Sequence, residues 1–285
     1  MLLRDFFPSP ELRAFVQCYR IVHLEFDKSG PVPVKAYPPK PEQCLHFFLR
    51  DFFAIEKAGV EKTCQPDILL IGQQTSVVRQ FTGRDFIDVQ IVFQPTALFR
   101  MTGVPAHELT NQHIDATCIF GNEIRFTLER LQEAKSYPAL LSIAEDFIRQ
   151  LISKTKKESF LVDIVSSKMI QYGRNNTIDR LAEQACLCSK QFTRKFYERT
   201  GVNPKTFAKI IRFNRAFNYK NKFPSREWRG IAIESGYCDY QHLVKDYKDF
   251  TGLTPLEFHL LEKASPESVL GLSKSLYHAR FRSVC

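Results

Sequence analysis

The chain has 285 residues, with 40 Lys and Arg against 31 Asp and Glu, a formal net charge of +9. Hydrophobic residues at 44% and charged residues at 25% are ordinary globular values, which excludes general disorder. Every apolar run is far shorter than the roughly 18–20 residues a membrane helix needs, and the opening from Met1 to Pro8 does not read as a secretory signal.

At roughly 100–200 residues per domain, this length suggests about two domains. The charge divides the same way. Residues 1–170 hold 20 basic and 20 acidic side chains, whereas residues 171–285 hold 20 and 11. The whole excess therefore lies in the last two-fifths of the chain, as expected if only that part meets a polyanion. The eight cysteines, at 18, 44, 64, 118, 186, 188, 238 and 285, form no C-x2-C pair. They read as reduced thiols of a cytosolic protein rather than a zinc or redox motif.

In chain order, Pro10–Gln17 reads as a short helix. From about residue 19 to 100 the texture is β-rich. The runs Cys44–Leu49, Asp67–Gly72 and Asp88–Phe93 are short, apolar and rich in branched or aromatic residues, with proline and glycine between them. That pattern predicts a β-sandwich or barrel. From Ala97 the spacing becomes helical, with Leu140, Leu141, Ala144, Phe147, Ile148 and Leu151 on one stripe. The polar segment Ser153–Ser159 marks the domain boundary.

The basic part contains a duplication. Leu181–Ala185 matches Ile231–Ser235 at an offset of 50, and Phe192, Arg194, Phe196, Gly201, Pro204 and Phe207 match Leu243, Lys245, Tyr247, Gly252, Pro255 and Phe258 at an offset of 51. Each copy reads as helix, short turn, helix. Thr177 is a predicted N-cap, and Gly201 with Pro204 ends the second helix of the first copy. At about 100° per residue, Phe192 and Phe196 face inward while Lys190, Arg194 and Tyr197 face outward, with Thr193 on the flank. In the second copy Leu243 and Tyr247 face inward, and Gln241, Lys245 and Lys248 outward. A polar, donor-rich stripe opposite a buried anchor is what a helix entering the major groove needs. A merely solvated face would explain one copy, but not two matched copies in the basic part. Between them, a basic amphipathic helix from about 205 to 221 would connect two reading helices over roughly 25 Å. Asp246 is expected beside the second reading face.

Residues from about Glu158 to Leu261 resemble the DNA-binding domain of the AraC/XylS family of transcription regulators. The resemblance is carried by Ile178–Ala182, Thr200–Pro204, Ile231–Asp239 and Phe250–Phe258. It implies two helix-turn-helix units joined by a long helix, both reading DNA. The DNA-binding candidates are then Lys190, Gln191, Thr193 and Arg194, with Tyr240, Gln241, His242, Lys245 and Lys248, and Arg212 on the connector. Cys188 and Cys238 stand where members often place Ser or Asp, so Ser189 and Asp239 are the expected caps. The segment Phe93–Leu109 is similar to one in the N-terminal domains of some bacterial members, which resemble a cupin barrel followed by helices and imply an effector-sensing or dimerising role.

The expected fold is therefore α+β. Residues 1–156 form a cupin-like barrel with flanking helices, 157–265 the all-α double helix-turn-helix domain, and 266–285 a tail. The expected partner is double-stranded promoter DNA, and the expected location the cytoplasm, on the nucleoid when bound. A small-molecule effector, a second copy of the chain and RNA polymerase are further partners implied by the resemblance. His46, Gln73, Arg79 and Gln90 are candidates to line an effector pocket. No H-x-H pair, P-loop, G-x-S-x-G or G-x-G-x-x-G motif occurs, so no metal, cofactor or enzymatic activity is expected. The alternatives are a cupin-type metal enzyme fused to a DNA-binding domain, and a non-specific architectural protein.

Overall fold

In a computed structural model, the described residues are 1–57, 59–155, 157–172, 177–273 and 277. His278, Cys285 and most of the expected tail lie outside them.

The N-terminal strands are β1 (Leu2–Phe6), β2 (Val16–Glu25), β3 (Lys35–Tyr37), β4 (Cys44–Arg50), β5 (Phe53–Glu56), β6 (Thr63–Cys64), β7 (Ile68–Ile71), β8 (Val78–Thr82) and β9 (Asp85–Phe93). Next come α1 (Ala97–Thr102), a 3-10 turn at Ala106–Leu109, β10 (His113–Asp115), α2 (Thr117–Phe120), α3 (Ile124–Glu133) and α4 (Tyr137–Ser153). The large sheet has the order β1-β2-β9-β4-β7-β10 and the small one β3-β8-β5-β6. Leu24, Phe48, Leu69 and Phe86 of the large sheet pack against Phe53, Ile55 and Val78 of the small one. The opposite face of the large sheet packs Tyr19, Ile21, Phe47, Val89 and Ile91 against Leu98, Leu128, Ala144 and Phe147 of the helices. A sheet covered on both faces reads as an uninterrupted apolar run, and Phe86–Phe93 is buried throughout.

The first residues depart from expectation. Pro10–Leu12 forms a single 3-10 turn and the chain enters β2 at Val16, while Leu2–Phe6 forms a strand. Pairing along most of β9, from Val16 opposite Phe93 to Glu25 opposite Asp85, overrides the local helical preference.

The C-terminal helices are α5 (Leu161–Tyr172), α6 (Ile178–Gln184), α7 (Ser189–Thr200), α8 (Pro204–Lys222), α9 (Trp228–Glu234), α10 (Tyr240–Thr251), α11 (Pro255–Lys263) and α12 (Pro266–Val269). Thr177, Asn203, Asp239 and Thr254 cap their helices by accepting backbone N–H bonds, and Thr254 closes a capping box with Glu257. The 19 residues of α8 make a rod about 28 Å long at about 1.5 Å per residue. It builds two cores at once. Phe207 and Ile211 pack with Leu181, Phe192 and Phe196, whereas Ile210, Phe213 and Phe217 pack with Ile231, Leu243 and Tyr247. Both helix-turn-helix units are thus mounted on one helix.

The β-rich domain docks on each unit. At the first, the Gln43 side chain donates to Thr200 O (3.4 Å) and the Thr110 hydroxyl to Gly201 O (2.7 Å). The buried Arg199 guanidinium stands over the rings of Phe99 and Phe160 and pairs with Asp163 at 2.8 Å. At the second, Val77 N–H donates to Phe250 O (2.9 Å), and Leu3 and Ala36 join the core of α8 and α10. Lys35 reaches across to Glu262 (2.6 Å) and Glu267.

Candidate nucleic-acid interface

Helices α7 and α10 are built alike. Phe192 and Phe196 anchor α7, and Leu243 and Tyr247 anchor α10; all four are essentially inaccessible to solvent. On the other face Lys190, Gln191 and Arg194 of α7 are exposed, with Thr193 half-buried on the flank. Gln241, His242, Lys245 and Lys248 of α10 are exposed and Tyr240 is half-buried. Among the described residues no ion pair engages Lys190, Arg194, Lys245 or Lys248. An open concavity in front of α7 is lined by Lys190, Thr193, Arg194 and Tyr197, with Asp179 and Asn203 at its edges. The geometry brings four of the predicted α7 residues to one solvent-facing surface and five of α10 to another.

The helix starts differ chemically. Asp239 caps α10: its carboxylate accepts from His242 N–H at 2.9 Å and lies 2.9 Å from Nδ1 of the same residue. The backbone N–H and then the ring hold the Asp239 carboxyl below the usual aspartate range. In α7 the N-cap position is Cys188, which makes no side-chain cap. Ser189 does not replace it; its hydroxyl donates to Asp179 instead.

Two expectations are corrected. Asp246 does not flank the reading surface. It is buried against α8, paired with Lys209 (3.2 Å) and Arg212 (3.5 Å). Burial works against the Lys209 charge, but Asp249 and Asp246 hold its pKa above the usual lysine value. Arg212 accordingly faces α10, with its guanidinium over the Tyr237 ring, rather than standing free beside the reading helices.

Reasoning from sequence missed Tyr197 as a junction. It continues the exposed stripe of α7 and stacks on His107 of the β-rich domain, ring centroids 4.9 Å apart and 13° between planes. The only signal was its helical spacing, seven residues after Lys190.

The effector candidates separate into two pairs. His46 and Gln90 are buried beside a cavity between the sheets, lined also by Tyr37, Gln80 and Asp88 and bordered by Pro266 and Glu267 of the C-terminal part. His46 Nδ1 lies 2.9 Å from Asp88 Oδ2, and the Gln90 amide donates to the same oxygen at 2.7 Å. Arg20 donates to Gln90 Oε1 (3.1 Å) and to Asp5 (2.7 Å). Gln73 and Arg79 are corrections. The Gln73 amide donates to the carbonyls of Lys40 and Gln74, while Arg79 points outward to Glu56 at 2.8 Å. Their neighbours Gln74 and Gln80 line the space between the sheets instead.

Residues 181–259 match the family model described as a helix-turn-helix domain. The C-terminal domain is a helix-turn-helix domain of the AraC type. Residues 4–115 match a domain of unknown function, DUF6597. The helix-turn-helix match covers α7, α8 and α10 whole, and the chain is a DNA-binding transcription regulator. No curated protein matches it significantly in sequence. Among solved structures it is similar to an apo variant of ToxT from Vibrio cholerae, with 11% identity, coverage of 90% of this chain and 99% of that one, and a TM-score of 0.48. It is also similar to ToxT from Vibrio cholerae bound to an unsaturated fatty acid (12% identity, 85% and 94% coverage, TM-score 0.45). A third is the AraC-like transcriptional activator CuxR (12%, 85% and 90%, TM-score 0.26). No helix of the described residues is long and apolar enough to cross a membrane.

Proposed function

We propose that this regulator reads two major-groove segments of promoter DNA, one with α7 and one with α10. The observation that carries the reading is the duplicated geometry: two exposed donor stripes, each opposite a buried anchor, both mounted on α8. Lys190, Gln191, Thr193 and Arg194 serve the first segment, and Tyr240, Gln241, His242, Lys245 and Lys248 the second. Arg and Lys suit guanine edges, and Gln suits adenine. Arg212 acts by positioning, since it ties α8 to α10 through Asp246. The role is regulatory rather than catalytic, and its place is the cytoplasm, on the nucleoid.

The β-rich domain modulates this reading through its two docks, in response to a small polar ligand in the cavity between the sheets. Asp88 Oδ1 is buried there without a hydrogen-bond partner. A buried carboxylate oxygen left unsatisfied is costly, and a ligand hydroxyl or amine would satisfy it beside His46 and Gln90.

Selection from a pool of random duplexes with the purified full chain tests the reading. The expected result is an enriched sequence with two separate blocks, bound far more tightly than unselected DNA at the same salt. Comparable affinity for all duplexes would instead identify an architectural protein held by phosphate contacts alone.

A further inference from the structure

The large sheet carries a second cluster of chemically active side chains, away from both reading helices and on the opposite face from the cavity. Tyr19 and Ile21 of β2 face the helical layer. Side chains two apart on a strand share a face, so His23 and Glu25 continue that row towards the strand end. Asp85 of β9 lies directly opposite Glu25 in the antiparallel register. One imidazole and two carboxylates thus converge, with their ligand atoms all within 4.8 Å of one another.

We propose that His23, Glu25 and Asp85 form a binding site for one divalent first-row cation, of the kind that accepts mixed imidazole and carboxylate ligands, such as Mn2+ or Zn2+.

The spacing suits a shared ion. His23 Nε2 is 2.8 Å from Glu25 Oε1 and 4.0 Å from Asp85 Oδ1. Atoms bound at about 2.0–2.2 Å to a common centre stand about 3–3.5 Å apart, so small rotations of two exposed carboxylates complete the set.

The imidazole is aimed. Its Nδ1 lies 2.7 Å from the hydroxyl of Tyr137, the first residue of α4. With Nδ1–H donating to that oxygen, the Nε2 lone pair points at the carboxylates, the arrangement in which an outer partner fixes a metal-binding histidine. Nε2 is moreover buried and makes no hydrogen bond of acceptable geometry, despite the nearby Glu25. Burial, followed by the N-terminal ammonium, holds the His23 pKa below its ordinary value.

Arg50 competes, since it pairs with Asp85 at 3.1 Å. That pair is half exposed on both sides and hence weak. A divalent ion bound by three groups displaces it. So held, the cation would clasp β2, β9 and the start of α4 together.

Titration of the metal-stripped full chain with Mn2+, following the electron paramagnetic resonance signal of the free ion, tests the site. Mn2+ avoids the thiols, of which Cys64, Cys118, Cys186, Cys188 and Cys238 are exposed. The expected result is one saturable ion per chain. His23→Gln and Asp85→Asn should each weaken binding at least tenfold, and Tyr137→Phe about 10–100-fold through lost orientation of the ring. Arg50→Ala should tighten it. Asp85 and Arg50 are exposed enough that their variants leave the fold intact, which circular dichroism checks. Absence of saturable binding overturns the proposal. So does binding that survives His23→Gln, because it would show an acidic surface patch rather than this site.

Discussion

The Lys35 ammonium stands 2.6 Å from Glu262 Oε1 and also holds Glu267, so one partly buried cation of the β-rich domain ties down two carboxylates of the helical domain. Burial alone would push the Lys35 pKa down, but the two carboxylates hold it above the usual lysine value. Glu267 also borders the cavity between the sheets. The ion cluster is therefore placed to connect the state of that cavity with the placement of the second reading unit.

Removing the cation should be costly, because two buried carboxylates lose their partner. Lys35→Met is expected to lower stability by about 3–5 kcal/mol, measured by denaturant unfolding of the full chain. Adding Glu262→Gln and Glu267→Gln should recover most of the loss. A Lys35→Met chain as stable as the parent would show that the cluster does not hold the domains together.

Arg194 stands on the exposed stripe of α7 opposite Phe192 and Phe196. Arg194→Ala should weaken binding to the selected site by about 1–3 kcal/mol, the size of a lost bidentate base contact, and to random duplexes by less. Equal losses on both DNAs in a gel-shift titration would remove Arg194 from the base-reading set.

The two units differ in how their C-cap glycines are packed. Gly201 and Gly252 both have a left-handed backbone, with φ of 88° and 73°. A Cβ at Gly201 would lie 2.6 Å from the Thr110 hydroxyl and 2.8 Å from Ala106 O, whereas at Gly252 it would meet nothing within 4 Å. Gly252→Ala should cost only the backbone strain, roughly 1 kcal/mol. Gly201→Ala should cost measurably more and loosen the Thr110 dock. Equal thermal shifts for the two variants would show that the first dock yields freely.

His113, on β10 beside the space that Gln74 and Gln80 line, has its pKa pushed down to about 3 by burial, then by Lys57 and His46. The folded chain keeps this ring neutral, while the unfolded chain protonates it below about 6.5. The unfolded state thus binds more protons between these values, so this contribution to stability is full above about pH 6.5 and falls as pH drops towards 3. His113→Gln should flatten the stability profile in that window. An unchanged slope would mean that other groups set it.

Much of this architecture was legible in the chain. The runs 44–49, 67–72 and 88–93 fall on β4, β7 and β9, because strands covered on both faces must be apolar throughout. The exposed stripes were legible because helical spacing alone puts Phe192 and Phe196 opposite Lys190 and Arg194. Asp246 was misplaced although its spacing was informative. Leu243, Asp246, Tyr247 and Phe250 lie at i, i+3, i+4 and i+7, so Asp246 belongs to the buried stripe, and the cations it needs come from α8. Gln74 and Gln80, rather than their neighbours Gln73 and Arg79, line the space between the sheets. On β8 a period of two makes the one-residue step from Arg79 to Gln80 a change of face, whereas Gln73 and Gln74 follow the end of β7, where no strand period applies. The junctions of Tyr197 with His107, and of Lys35 with Glu262, join residues far apart in sequence, and no local pattern marks them.

The central claim is that α7 and α10 read separate stretches of the same duplex. Methylation interference at guanine N7 on the selected site tests it most directly, comparing the parent chain with Arg194→Ala and with a Gln241→Ala, Lys245→Ala variant. Two clusters of interfering guanines are expected, centred about 10 base pairs apart on one face of the DNA. Arg194→Ala should erase contacts in one cluster, and the α10 variant contacts in the other. A single cluster, insensitive to the α10 changes, would contradict the two-segment reading.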